Sequence, residues 1–384
     1  MIYLDHNAIS PLRDAARAAI TEALAYCGNA SSVHAAGRAA RARIERAREA
    51  VARLAGCGSS EVVFTSGGTE ANGLALKGAV QGAAEGGKRI TRLLVSAIEH
   101  DSVRAHAAVL AESVPGLKLQ EMPVTGDGKV DLASLRDMLI HGKGRVLVSV
   151  MAANNETGVV QDIAQIGAVL KREGGPDALL HVDAVSVMGR AEFSFAAVGA
   201  DYMTISAHKL GGPQGAGALI VREAAPLSAQ IMGGGQEMGR RAGTENVAAI
   251  AGFGAVAAQI DDGQNLRSLR ESFETRLKAL APDVVIFGAA AERLSNTTNF
   301  AIPGLLSETA LIALDLDGVA VSSGAACSSG KVKPSHVLAA MGVAESLARC
   351  GVRVSFGWTN SERDADAAIA SLGRLLARRA ALAA

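Results

Sequence analysis

Phe64-Thr65-Ser66-Gly67-Gly68-Thr69-Glu70 joins the end of an apolar run to an alanine-rich helical pattern through two glycines. The run reads as a strand and the glycines as a tight turn, with a helix expected to begin near Thr69. The same alternation extends outward. Candidate strands are Glu61–Thr65, Arg92–Ala97, Arg145–Met151, Leu179–Val182, Tyr202–Ile205 and Ala218–Val221; between them lie amphipathic stretches such as His34–Ala55, Ser102–Glu112 and Ile163–Arg172. Strands alternating with helices predict an α/β fold with a mostly parallel sheet covered on both faces. Such sheets offer their ligand sites beyond the carboxyl ends of the strands. After about residue 260 the pattern changes. A charged helix, roughly Asn265–Leu280, leads to strand-like pieces at Val284–Phe287, Thr297–Ile302, Val319–Val321 and Val352–Phe356, and the last helix runs through Asp364–Ala380. The expected organisation is a large α/β domain over residues 13–258 and a smaller α+β domain formed by 1–12 with 259–384.

Composition narrows the function classes. The 384 residues are 49% hydrophobic, with 38 basic against 38 acidic side chains. Such a chain can bury a sizeable core, and its balanced charge argues against a nucleic-acid-binding surface. The start, Met1-Ile2-Tyr3-Leu4-Asp5-His6, lacks the basic and apolar regions of a signal peptide, and no apolar stretch is long enough to cross a bilayer. A cytoplasmic protein with no membrane partner is expected. Cys27, Cys57, Cys327 and Cys350 are widely spaced and form no C-x-x-C pair, so neither a disulfide framework nor a metal site is expected.

Four segments carry candidate chemistry. The Gly67-Gly68-Thr69 turn would aim free backbone N–H groups and a helix dipole at one point, which suits a phosphate; an ordinary glycine-rich turn reads equally well. Lys209, in Ser206-Ala207-His208-Lys209-Leu210-Gly211-Gly212, follows a strand among small residues. Most lysines are solvated surface charges, but here the glycines admit a bulky ring, and a lysine so placed can form a Schiff base with an aldehyde cofactor. Asp183 ends the apolar strand His181-Val182-Asp183 and needs a partner, which a protonated pyridine nitrogen, a helix N-terminus or a salt bridge could supply. His100, also after a strand, could stack on a flat ring or serve as a hydrogen-bonded structural residue. Last, Ser322-Ser323-Gly324-Ala325-Ala326-Cys327-Ser328-Ser329-Gly330 holds only small residues and is expected to be a mobile loop (about 321–333) exposing a reactive thiol.

Together these segments resemble the NifS/IscS-type cysteine desulfurases of the class V aminotransferase superfamily, fold type I. The resemblance runs from Tyr3-Leu4-Asp5 through Thr65-Ser66-Gly67-Gly68-Thr69-Glu70-Ala71-Asn72, Glu99-His100, Asn154-Asn155-Glu156-Thr157-Gly158 and Arg241-Ala242-Gly243-Thr244-Glu245-Asn246 to Ser335-His336-Val337-Leu338 and Arg353-Val354-Ser355-Phe356-Gly357. The Ser-Ser-Gly-x-Ala-Cys segment is similar to the long-loop group that supplies iron–sulfur assembly. The resemblance implies a PLP-dependent transferase with a seven-stranded-type sheet, pyridoxal 5'-phosphate as cofactor and L-cysteine as substrate. It also implies a homodimer and sulfur-acceptor partners such as an iron–sulfur cluster scaffold. Lys209 would carry the cofactor and move the Cα proton, Asp183 would pair with the ring nitrogen, and His100 would stack on the ring. Gly68, Thr69, Ser206 and His208 would hold the phosphate, with Thr244 reaching across from the second subunit. Asn155 and Arg353 would hold the substrate carboxylate, and Cys327 would accept the sulfur. One departure concerns the cofactor directly: Ser186 stands where the family has a glutamine that bonds the ring hydroxyl. Alternatives are a selenocysteine lyase or related PLP-dependent lyase or transaminase, and a degenerate sulfur-carrier or scaffold subunit. A nucleotide-binding domain has little support, because neither G-x-G-x-x-G nor G-x-x-x-x-G-K-[ST] follows the first strand.

Overall fold

The computed structural model describes residues 1–260, 266–323 and 334–383. Seven strands form the main sheet: β1 (Val62–Thr65), β2 (Ile90–Ser96), β3 (Lys118–Met122), β4 (Arg145–Met151), β5 (Leu179–Asp183), β6 (Tyr202–Ser206) and β7 (Gly217–Val221). Their spatial order is β1-β7-β6-β5-β4-β2-β3, and only β7 runs antiparallel to its neighbours. Its direction follows from length. Residues 207–216 cannot carry the crossover that a parallel return from β6 requires.

Period-two alternation splits the core between the two faces of this sheet. Phe64, Val146, Val148 and Val150 join one buried cluster; Val63 and Leu147 join the other. Both faces are therefore dry, which explains why the strands read as continuous apolar runs. The edge strand β3 escapes that reading because Lys118, Leu119 and Glu121 are exposed and only Met122 is buried.

The carboxyl-terminal part builds a separate three-stranded sheet, with Thr297–Ala301 between Val285–Ile286 and Gly351–Ser355, all antiparallel. Phe273 stacks its edge on Phe356, with ring centroids 5.7 Å apart, in a buried cluster that also contains Leu4 and Phe300. The amino-terminal strand Ile2–Tyr3 pairs in parallel with Val319–Ala320. The amino-terminal segment thus leaves this cluster at Leu4 and continues toward the ends of β5 and β6. No helix of the described residues is long and apolar enough to cross a membrane.

Candidate active site

The β1 turn delivers the helix Gly68–Glu85, whose first N–H groups have no intrahelical acceptor. This junction is tight. A Cβ at Gly217, next in the sheet, would stand 2.7 Å from the Gly67 backbone, and one at Gly68 would meet Val185 Cγ2 at 3.0 Å. Beside it, Ser206 ends β6, and its Oγ lies 2.8 Å from His208 Nδ1. Burial, with repulsion from Lys209 and Arg190, lowers His208 to about 4, so its ring is neutral at pH 7.

Asp183 ends β5 almost fully buried. Its Oδ2 accepts from Asn72 Nδ2 at 2.8 Å and its Oδ1 from Val185 N at 2.9 Å. No ion pair reaches it from the described residues. A buried carboxylate with two neutral donors and no cation is matched to a protonated ring nitrogen. Behind it, Glu99 is completely buried; desolvation and the Asp183 charge push its carboxyl well above the usual range.

Lys209 closes a short 3-10 turn after β6. Its Nζ donates to the carbonyls of Asn7 and Ala8, the latter at 2.9 Å. Burial first, then repulsion from Arg190 and Arg353, pulls its ammonium down to about 7, against the opposing pull of Asp5 and Asp183. Arg190 itself is lowered to about 10, chiefly by burial. It spends its donors on the carbonyls of Ser186, His6 and Lys209.

Of the two carboxylate-binding candidates, Arg353 arrives from the other sheet and Asn155 from the turn after β4. Arg353, on Gly351–Ser355, donates through Nη1 to Asn155 O at 3.0 Å and through Nη2 to Asp5 Oδ1 at 2.6 Å. The turn that presents Asn155 is set by Asn154, whose Oδ1 accepts from the backbone N–H groups of Glu156 and Thr157. Glu156 is buried, which raises its carboxyl, and it accepts from Ser335 Oγ at 2.5 Å.

A single cavity of about 670 Å³ gathers Gly68, Thr69, His100, Asn155, Asp183, Ser186, Ser206, His208, Lys209 and Arg353 in its lining. His100 also caps the helix Asp101–Ser113 through Nδ1, so its structural and site-lining readings coexist. Ser186 Oγ has no hydrogen-bond partner among the described residues. Thr244 is exposed and does not line this cavity. Cys327 lies outside the described residues, as does most of the expected 321–333 loop. Sequence reasoning assigned no role to Asn72, Asp5, Glu156 or Arg190. For Asn72 a signal existed: it follows Thr69 by one helical turn, which puts it on the same face.

A lysine, a cation-free buried aspartate and an open helix N-terminus around one cavity define the site of a pyridoxal-phosphate enzyme. The aminotransferase class-V family model matches residues 2–368. An IscS-like cysteine desulfurase of Mycobacterium tuberculosis is 39% identical, with 100% of this chain and 99% of that protein aligned. The cysteine desulfurase IscS of Dictyoglomus turgidum is 37% identical over 98% of this chain and 94% of its own. The X-ray structure of a NifS-like protein from Rickettsia africae superposes with a TM-score of 0.87 at 36% identity, covering 98% and 99% of the two chains. The chain belongs to the class-V aminotransferase family. It is an enzyme of PLP fold type I, as the sheet order and the family expectation agree.

Proposed function

We propose that this enzyme is a cysteine desulfurase that removes sulfur from L-cysteine, yields L-alanine and leaves a persulfide on Cys327. The observation that carries the reading is the meeting of Lys209, Asp183, Asn155 and Arg353 around one cavity. Asp183 would hold the ring nitrogen, and Gly68, Thr69, Ser206 and His208 the phosphate. His100 would lie against the ring. Pyridoxal phosphate supplies an electron sink at the substrate's Cα when bound.

The chain's own groups do the rest. Arg353 and Asn155 orient the substrate carboxylate, so the Cα–H bond faces Lys209. The Lys209 amine takes that proton and gives it back to Cα before alanine leaves. The Cys327 thiolate attacks the substrate sulfur, and the Cβ–Sγ bond breaks with its electron pair left on the carbon side. A proton then completes the methyl group of alanine. An ordinary thiol, with pKa about 8.5, is only a few per cent ionised at pH 7, so the site must favour the thiolate.

We further propose a cytoplasmic homodimer in which Thr244 of the partner subunit completes the phosphate site, and an iron–sulfur cluster scaffold as sulfur acceptor. The domain division at 13–258, with 1–12 joined to 259–384, belongs to the same reading. It is supported by the packing of Leu4 with Phe273, Phe300 and Phe356.

The test is to incubate the PLP-loaded protein with L-cysteine, then measure alanine and the mass of the peptide bearing position 327. Equimolar alanine and a persulfide adduct are expected. Cys327→Ala should keep its bound cofactor and lose the adduct; undiminished sulfur transfer by that variant sinks the proposal.

A further inference from the structure

The carboxylate subsite already holds a carboxylate. Asp5 Oδ1 is 2.6 Å from Arg353 Nη2, in a pair whose arginine side chain is only 5% exposed. Asp5 is held there from both sides. Its carbonyl accepts from Tyr3 Oη at 3.0 Å, and its backbone bridges to Ser355, two residues past Arg353 on the same strand. The Arg353 guanidinium is not saturated, because its buried Nε has no acceptor among the described residues. Asp5 pairs with no other cation among the described residues. A solvent-facing arginine would not need this arrangement; a ligand-binding one is changed by it, since each unit of negative charge beside the fork weakens attraction for the next.

We propose that Asp5 is a specificity-setting residue: its carboxylate competes with the substrate carboxylate for Arg353. The inference rests on the reading of Arg353 as the carboxylate-binding residue. With Asp5 in place, the fork is electrically satisfied in the free enzyme. A simple anion gains little by displacing it. An α-amino acid, whose amino group and side chain are engaged elsewhere in the cavity, can afford the exchange. Asp5 therefore lowers affinity for carboxylates in general and makes retention depend on the rest of the ligand. Holding the free site below maximal affinity also lets the carboxylate product leave.

The probe is L-alanine, with L-alaninamide as its carboxylate-free control, titrated calorimetrically into PLP-loaded protein. Asp5→Asn keeps the shape and removes the charge. It should bind L-alanine roughly three- to tenfold more tightly, as expected for loss of a competing, partly screened charge. Its affinity for L-alaninamide should not change, which a general structural effect would not achieve. The KM for L-cysteine should fall in parallel without a rise in kcat. Asp5→Glu, which restores the charge, should return L-alanine affinity toward the parent value. Should Asp5→Asn fold poorly by thermal melting, Asp5→Ser carries the same comparison. Arg353→Gln separates the two ideas. If it weakens L-alanine binding strongly while Asp5→Asn leaves binding unchanged or weaker, the Asp5 proposal is overturned and the Arg353 reading stands. If Arg353→Gln leaves L-alanine binding intact, the Arg353 reading fails and takes this inference with it.

Discussion

At Lys209, burial and two neighbouring arginines act against two carboxylates, and the outcome is an amine poised near neutrality. The ordinary lysine value of 10.5 falls to about 7 in the folded chain. Only the neutral amine attacks an aldehyde, so the sign is fixed: cofactor loading is slow below the folded pKa and reaches its plateau above it. Protein stripped of pyridoxal phosphate and then reloaded should show a covalent capture rate that climbs with pH and is half-maximal near 7. Absorbance change on mixing measures it directly. A midpoint close to 10 would mean that the burial and the arginine repulsion do not act in solution. Arg190 contributes here by charge repulsion, from a position fixed by its bonds to the carbonyls of Ser186, His6 and Lys209. No motif announces such a residue, since its effect comes from a buried charge and not from a contact pattern.

Between elements, the Arg48–Glu237 clamp fixes the first turn of the site from below. Arg48, on the helix Ala35–Ala55, donates to Glu237 through Nη1 at 2.7 Å and Nη2 at 2.9 Å, and Glu237 also accepts from Phe64 N at 2.8 Å. Glu237 adopts φ of 48°, a conformation that a non-glycine residue holds only when its surroundings insist. Glu237→Ala would leave the buried Arg48 guanidinium with only Glu45 and the Val62 carbonyl, and the Phe64 N–H without its acceptor, a loss of about 2–4 kcal/mol. Urea unfolding should show a lower midpoint with little change in slope, and a shift below 1 kcal/mol would remove the clamp from the account. The contrast with the strands is instructive. β4 was legible to the residue from Arg145 to Met151 because both faces are buried and the run is apolar apart from Arg145 and Ser149. The edge strand β3 carried no such signal, and the antiparallel direction of β7 was settled by a connection length rather than by composition. The site was legible where a glycine turn or strand end marks the chemistry, as at Gly68, Asp183 and Lys209. Asp5 was not assigned a role because its partner Arg353 is 348 positions away and only the tertiary fold joins them.

On the scale of the whole molecule, the segment 231–244 has no apolar cover of its own. Ile231, Met232 and Met238 are 40%, 77% and 53% exposed, while the backbone of Ala242 returns to Ile231 O at 3.0 Å and folds the segment on itself. Exposed large apolar side chains grouped on one segment favour burial against another chain. Thr244, exposed at the end of the same segment, is the residue proposed to serve a second copy's phosphate site. The two features make one prediction: association and cofactor retention should be lost together. Met232→Asp puts a charge into the proposed contact, where burying it unpaired would cost several kcal/mol. Sedimentation should then give the mass of a single 39.1 kDa chain where the parent gives twice that value. The dilute variant should also release pyridoxal phosphate faster on dialysis with a competing aldehyde trap. Thr244→Ala should release cofactor faster while remaining dimeric, because it removes one hydroxyl and no apolar surface. If Met232→Asp sediments as a monomer yet holds cofactor as tightly as the parent, each chain completes its own phosphate site and Thr244 has no role across the interface.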